Sequence, residues 1–180
     1  MMTKKIIRIG LIGQSDRPWE PAPKKIKMLA YQVGYLIGKE GWMLFNGGRD
    51  GVMESSAKGC HNANGITVGI LPSLDSSEAN KYVDIPITTG LGIGLRSELM
   101  IHTVDAVVMV GGKNGTLLEL TSAYLNKKPI VILKGTGDFA DSISSILFEG
   151  KFLDSRKNVE IQFADTPEQV IELLKKDLNI

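Results

Sequence analysis

The sequence predicts an α/β chain of the Rossmann-like, doubly wound kind, a mostly parallel sheet with helices on both faces. Three observations lead there. Short runs rich in apolar and β-branched residues alternate with amphipathic helical stretches along the whole chain, and parallel neighbours need such crossovers. The runs have the composition of strands buried on both faces. Three of them end in glycine, at Gly13, at Gly47 with Gly48, and at Gly111 with Gly112, where open α/β sheets bind their ligands.

Taken in order, residues 6–13 (IIRIGLIG) form a buried strand. A long helix over 23–39 carries Ile26, Leu29, Ala30, Val33, Leu36 and Ile37 on its inner face, and Gly41 closes it. The second strand, 42–45, runs into Asn46, Gly47 and Gly48, after which Asp50 is expected to cap a helix reaching about residue 62. Residues 66–71 (ITVGIL) are the third strand, stopped by Pro72; a polar loop at 73–81 precedes a short apolar piece at 83–87. A helix over 95–102 leads into a strand at 105–110, a helix beginning at Thr116 and a strand at 130–133. Residues 138–148 are expected to be helical, 159–163 extended and 166–178 helical, with Thr166, Pro167 and Gln169 making a capped start.

Composition narrows the function classes. The 180 residues suit a single nucleotide- or phosphate-binding domain spanning 1–180, long enough to bury roughly 70% of its unfolded surface. The single cysteine, Cys60, excludes an internal disulfide, and no second Cys or His cluster accompanies it and His61, so a reduced, metal-free protein is expected. A formal net charge of +1 gives no footprint for general nucleic-acid binding. The basic groups at Lys4 and Lys5 and at Lys24, Lys25 and Lys27 read as solvated surface. No apolar run approaches the roughly 20 residues that span a bilayer, and the start of the chain goes straight into a strand. The cytoplasm is the expected location, with no membrane partner.

The run 110–119 (VGGKNGTLLE) is the most informative stretch. A buried strand ends at a glycine pair and a helix begins at once, so Gly111, Gly112 and Gly115 allow close backbone approach while free amides attract an anion. A local alternative exists, since Thr116 and Glu119 also fit a Ser/Thr-x-x-Glu capping box. Three glycine-bearing strand ends facing one crevice favour a phosphate-bearing small molecule. A dinucleotide fingerprint is absent: the first strand runs on into Gln14 and Ser15 without GxGxxG, and Asn46 stands where an acidic residue would hold a ribose.

Segments 47–72, 79–100 and 110–133 together resemble the superfamily that holds the LONELY GUY phosphoribohydrolases, often mislabelled lysine decarboxylases, and the molybdenum cofactor carrier proteins. The carrier branch is nearer, because its members show GGxxGT, as residues 111–116 do, and a TGLG segment like 89–92. The hydrolases use PGGxGTxxE; here Val110 replaces the proline and Asn114 is an additional residue. Their Arg in the preceding helix and their motif-ending Glu act on a nucleoside monophosphate, and Arg96 and Glu119 match these. The resemblance also implies a homodimer or homotetramer.

The sequence thus leads to a carrier or sensor of a phosphorylated heterocycle, either a nucleotide or molybdenum cofactor, with no cofactor otherwise required. Asn114, Gly115 and Thr116 with Gly111 and Gly112 are expected to cradle the phosphate. Gly47, Gly48, Gly51 and Val52 are expected to line the opposite wall, and Ser15, Thr89 and Gly90 the rim, with Gly13 a further expected ligand contact. The alternative is a nucleoside 5′-monophosphate phosphoribohydrolase working through Glu119 and Arg96.

Overall fold

The computed structural model describes residues 6–180; Lys4 and Lys5 lie outside the described residues. Seven strands form one sheet in the order β4-β3-β2-β1-β5-β6-β7, and every pairing is parallel. They are β1 (Arg8–Gly13), β2 (Met43–Asn46), β3 (Ile66–Leu71), β4 (Ile85–Thr88), β5 (Ala106–Val110), β6 (Ile130–Leu133) and β7 (Ile161–Ala164). The helices are α1 (Lys24–Lys39), α2 (Val52–Asn62), α3 (Gly92–Thr103), α4 (Asn114–Leu125), α5 (Asp138–Ser142) and α6 (Pro167–Leu178).

Strand β5 shows why the sheet needs two covers. Its alternate residues Ala106, Val108 and Val110 pack with α1, α2 and α6, while Val107 and Met109 pack with α3 and α4. All five are fully buried, as period-two alternation within an entirely apolar strand requires. The chain builds outward from β1 to β4, then returns beside β1 with β5 and builds the other way. The loops leaving β1 and β5 therefore diverge, opening a crevice at their carboxyl ends. At the opposite ends, Asp105 accepts bonds from the Arg8 amide at 2.9 Å and from its Nε and Nη2 at 3.1 and 3.0 Å.

Most predicted elements are present, with four differences. Helix α3 starts at Gly92 instead of residue 95, because its glycine-rich first turn carries no apolar period to read. Helix α4 begins at Asn114, two residues before Thr116. The stretch 138–148 is helical only through Ser142, then tightens to a 3₁₀ turn over Ile143–Ile146 before the chain pairs Phe148 with Phe152. Asp50 does not cap α2: the cap position is Gly51, without a side-chain bond, and the Asp50 carboxylate takes the Asp16 amide at 2.9 Å. The Thr166 cap is present, its side chain accepting from the Gln169 amide at 3.2 Å.

Helices α1 and α2 touch along their backbones. A Cβ on Gly34 would stand 2.0 Å from the Ser56 carbonyl oxygen, and one on Gly59 2.0 Å from that of Tyr31. A backbone carbonyl in a packed helix cannot step aside for a methyl group. Gly34→Ala and Gly59→Ala are therefore expected to destabilise the fold by about 1–3 kcal/mol, overpacking outweighing the helix propensity of alanine. Urea denaturation followed by circular dichroism measures the loss; midpoints equal to the parent protein would contradict this close packing.

Candidate functional site

A cavity of about 520 Å³ opens at the carboxyl ends of β1, β2 and β5, within the size range of small-molecule sites. Its floor is the end of β1, with Leu11, Ile12 and Gly13; its walls come from Gly47 after β2, Arg96 on α3 and the first turn of α4. The loop from Gln14 to Glu20 forms the remaining side.

Eight of the residues expected from the sequence meet here: Gly13, Ser15, Gly47, Arg96, Asn114, Gly115, Thr116 and Glu119. Seven others do not line the cavity and instead shape the backbone around it. Val52 is fully buried, and a Cβ on Gly13 would stand 2.6 Å from its Cγ1, so Val52 backs the end of β1. Gly51 holds the α2 start against the Gln14 loop, and Gly48 packs on Gly69 while its carbonyl accepts from Asn80. Thr89 and Gly90 tie the approach to α3 onto the end of β3, through Leu71 and Ser73. The Gly111 amide donates to Thr136 Oγ1 at 2.8 Å, and Gly112, at φ 107°, folds over the Thr116 side chain.

The start of α4 excludes the capping-box alternative. The cap residue is Lys113, in extended conformation, and no side chain caps the helix. Thr116 lies inside the first turn, so the capping box does not form. The first amides of α4 have no intrahelical partner, and their residues Asn114, Gly115 and Thr116 face the cavity. The partial positive charge of the helix end adds to their attraction for an anion.

Glu119, one turn and a half further on, is buried. Its Oε1 accepts from Ser97 Oγ at 2.7 Å and lies 3.9 Å from Arg96 Nη1. Burial raises the Glu119 pKa above the ordinary carboxylate value, opposed by the Ser97 bond and the Arg96 charge. Arg96 is only 6% exposed, and its Nε has no hydrogen-bond partner. Burial lowers its pKa, Glu119 opposes that, and Arg49 adds to it. An unpartnered buried guanidinium N–H is costly unless a further acceptor reaches the group.

Sequence reasoning missed Arg49, Ser97 and, apart from Ser15, the loop 14–20, all of which line the cavity, as does Lys113 within the glycine-rich run 111–116. Arg49 forms no ion pair with a carboxylate among the described residues, whereas Lys113 pairs with Glu20 across the mouth. Arg49 sits in the GGRDG run itself, so its nearness to a glycine-bearing strand end was the available signal. Buried Asn46 arranges that run, donating to the Met53 carbonyl at 3.0 Å and accepting from the Gly48 amide at 2.8 Å. No group of three or more His, Cys, Asp or Glu able to hold a metal ion occurs among the described residues. No helix there is long and apolar enough to cross a membrane.

Residues 6–171 match the SLOG cluster4 family. The chain belongs to that family. It is 34% identical to the molybdenum cofactor binding protein of the phototrophic bacterium Rippkaea orientalis, covering 98% of this chain and 99% of that one with a TM-score of 0.83. The molybdenum cofactor carrier protein of Chlamydomonas reinhardtii is 30% identical over 98% of this chain and 100% of its own, at TM-score 0.80. A Mycobacterium tuberculosis cytokinin riboside 5′-monophosphate phosphoribohydrolase is 32% identical over 128 residues, 66% of this chain and 68% of that protein. The first two comparisons bear out the likeness to the carrier branch, and the third the wider kinship with the LONELY GUY hydrolases.

The raised pKa of Glu119 carries a sign for stability. The folded state holds this proton more tightly than the unfolded chain, so ionisation as pH rises from about 4 costs stability. Glu119→Gln removes that cost. The difference in melting temperature, variant minus parent, is expected to grow more positive from pH 4 to pH 7, whatever its offset from the loss of the Arg96 partner. A difference flat across that range would contradict the burial-driven shift; differential scanning fluorimetry in matched buffers measures it.

Proposed function

We propose that this protein binds a phosphorylated heterocyclic small molecule, a nucleotide or a pterin of the molybdenum cofactor kind, as a carrier or sensor. The observation that carries this reading is the convergence of three anion-seeking features on one cavity. These are the uncapped amides of α4, the buried guanidinium of Arg96 with its unpartnered Nε, and Arg49, which has no ion-pair carboxylate among the described residues. The phosphate sits on the amides of residues 114–116, where the helix end stabilises negative charge. Arg96 and Arg49 reach its oxygens from the side, as guanidinium groups suited to charge-assisted bonds. The likeness to two molybdenum cofactor binding proteins supports a pterin phosphate as cargo, and the residues present fit its phosphate end.

A specific observation also favours a hydrolytic reading. Glu119 is a buried carboxyl in the cavity, positioned by Ser97 and facing Arg96. In a phosphoribohydrolase, water adds to the anomeric carbon as the N-glycosidic bond breaks, and the base leaves with a proton. Positive charge develops on the ribose, which a carboxylate stabilises while it orients the water. Ser97 and Arg96 would hold Glu119 for that task; the relative from Mycobacterium tuberculosis makes a nucleoside 5′-monophosphate the substrate to try first.

AMP separates the two readings. Isothermal titration calorimetry is expected to show binding, weakened about tenfold or more by Arg49→Ala through loss of one charge-assisted contact. Chromatography of the same mixtures is expected to show intact AMP. Release of adenine and ribose 5-phosphate that Glu119→Gln abolishes would replace the carrier reading with the enzymatic one.

We also propose that the chain self-associates through α3 and α4. Ile93, Leu95 and Leu99 on α3 and Leu118 and Leu125 on α4 are 40–64% exposed, an apolar face larger than scattered surface residues explain. Light scattering at micromolar concentration is expected to give at least twice the 19.6 kDa chain mass. Arg in place of Leu95 is expected to return the monomer.

A further inference from the structure

Of the two tryptophans, Trp42 is buried in the core at 7% exposure, whereas Trp19 is 77% exposed and lines the cavity. Its exposure is fixed by local structure. The Glu20 amide donates to the Arg17 carbonyl at 2.9 Å, closing a β-turn with Pro18 and Trp19 at its centre. Proline suits the first central position of such a turn. Both flanks are tied down: the Asp16 amide donates to Asp50 Oδ1 at 2.9 Å, and the Asp16 carboxylate accepts from the Ala22 amide at 2.8 Å and pairs with Lys27. On the far side Glu20 pairs with Lys113, the cap residue of α4. A large aromatic held in water at a cavity edge, with its backbone anchored on both sides, is a surface awaiting a partner.

Resting on the binding reading above, we propose that Trp19 is the residue that selects a planar heterocycle, its indole stacking on the ring system while the phosphate occupies the α4 amides. One cavity holds both surfaces, so a ligand with phosphate at one end and an aromatic ring at the other satisfies both. The Arg17 guanidinium lies 5.9 Å from the Trp19 ring centroid and adds positive charge beside the ring. Stacking of this kind tolerates different ring systems, since each offers a π face. A nucleotide base and a pterin are thus both admitted, whereas a phosphorylated sugar lacking a ring system gains nothing from Trp19.

Three chains, the parent, Trp19→Ala and Trp19→Phe, titrated with AMP and with ribose 5-phosphate by calorimetry, test this. AMP is expected to bind the parent more tightly than ribose 5-phosphate. Trp19→Ala is expected to weaken AMP about fivefold or more and leave ribose 5-phosphate unchanged, and Trp19→Phe to restore most of the difference. AMP is also expected to quench tryptophan emission in the parent and in Trp42→Phe, but not in Trp19→Phe. Equal AMP affinity in the parent and Trp19→Ala, or equal weakening of both ligands, overturns the stacking role while leaving the phosphate site intact. If neither ligand binds the parent, the binding reading falls and the stacking role with it.

Discussion

Much of this molecule follows from the placement of β1 between β2 and β5. A parallel sheet cannot turn back on itself with hairpins, so each strand must be reached by a crossover. Once the chain has built outward through β4 and returned beside β1, the loops leaving β1 and β5 go to opposite sides of the sheet. The space between them cannot be filled by either loop. It is lined instead by the stretch 14–20 at the edge of the β1 loop, Gly47 after β2, Arg96 from α3, and the bare first turn of α4. The cavity is thus a consequence of strand order, and its chemistry a consequence of which backbone groups end there without partners.

Within the cavity two electrostatic demands meet. Arg96 and Glu119 are both buried, yet their 3.9 Å separation is too long for a strong ion pair, and Glu119 turns to Ser97. Burial therefore dominates both groups, pushing the acid up and the base down. A polyanion entering beside them would supply what the pair lacks, an acceptor for the guanidinium. Family kinship reaches both cofactor carriers and a nucleotide hydrolase. On the reading proposed above, one arrangement of Arg, Glu and Ser could serve a binding role or a reacting role, depending on the ligand and on a correctly placed water.

The sheet was legible because its signal is local. The β3 and β6 bounds coincide with the apolar runs 66–71 and 130–133, and Thr166 caps α6 as its spacing implied. Elements whose limits are set by distant contacts were harder to place. The α4 start moved to Asn114 because Gly112, turned to φ 107°, lays the chain over Thr116, so the residue that resembled a cap became part of the first turn. Asp50 resembled a cap as well, but its carboxylate serves a loop 34 residues away. Glycine spacing pointed to the turn at the start of α4 that lines the cavity, and to Arg49 only through the glycines beside it, yet gave no sign of Trp19, whose meaning depends on which loops face the same space. Five of the seven expected residues that do not line the cavity are glycines, and a glycine required by backbone crowding and one required by a ligand look alike in sequence.

Gly51 illustrates how far such framework reaches. A Cβ there would meet the Gln14 carbonyl at 2.5 Å and the Asp16 amide at 2.7 Å, and the neighbouring Val52 amide donates to that same carbonyl at 2.9 Å. The segment bearing Trp19 is therefore seated on the entry to α2. Even a single methyl group at residue 51 would shove the whole mouth of the pocket without altering any side chain that a guest molecule touches. Residue 51 is thus a lever on the shape of the opening that lies outside the opening itself.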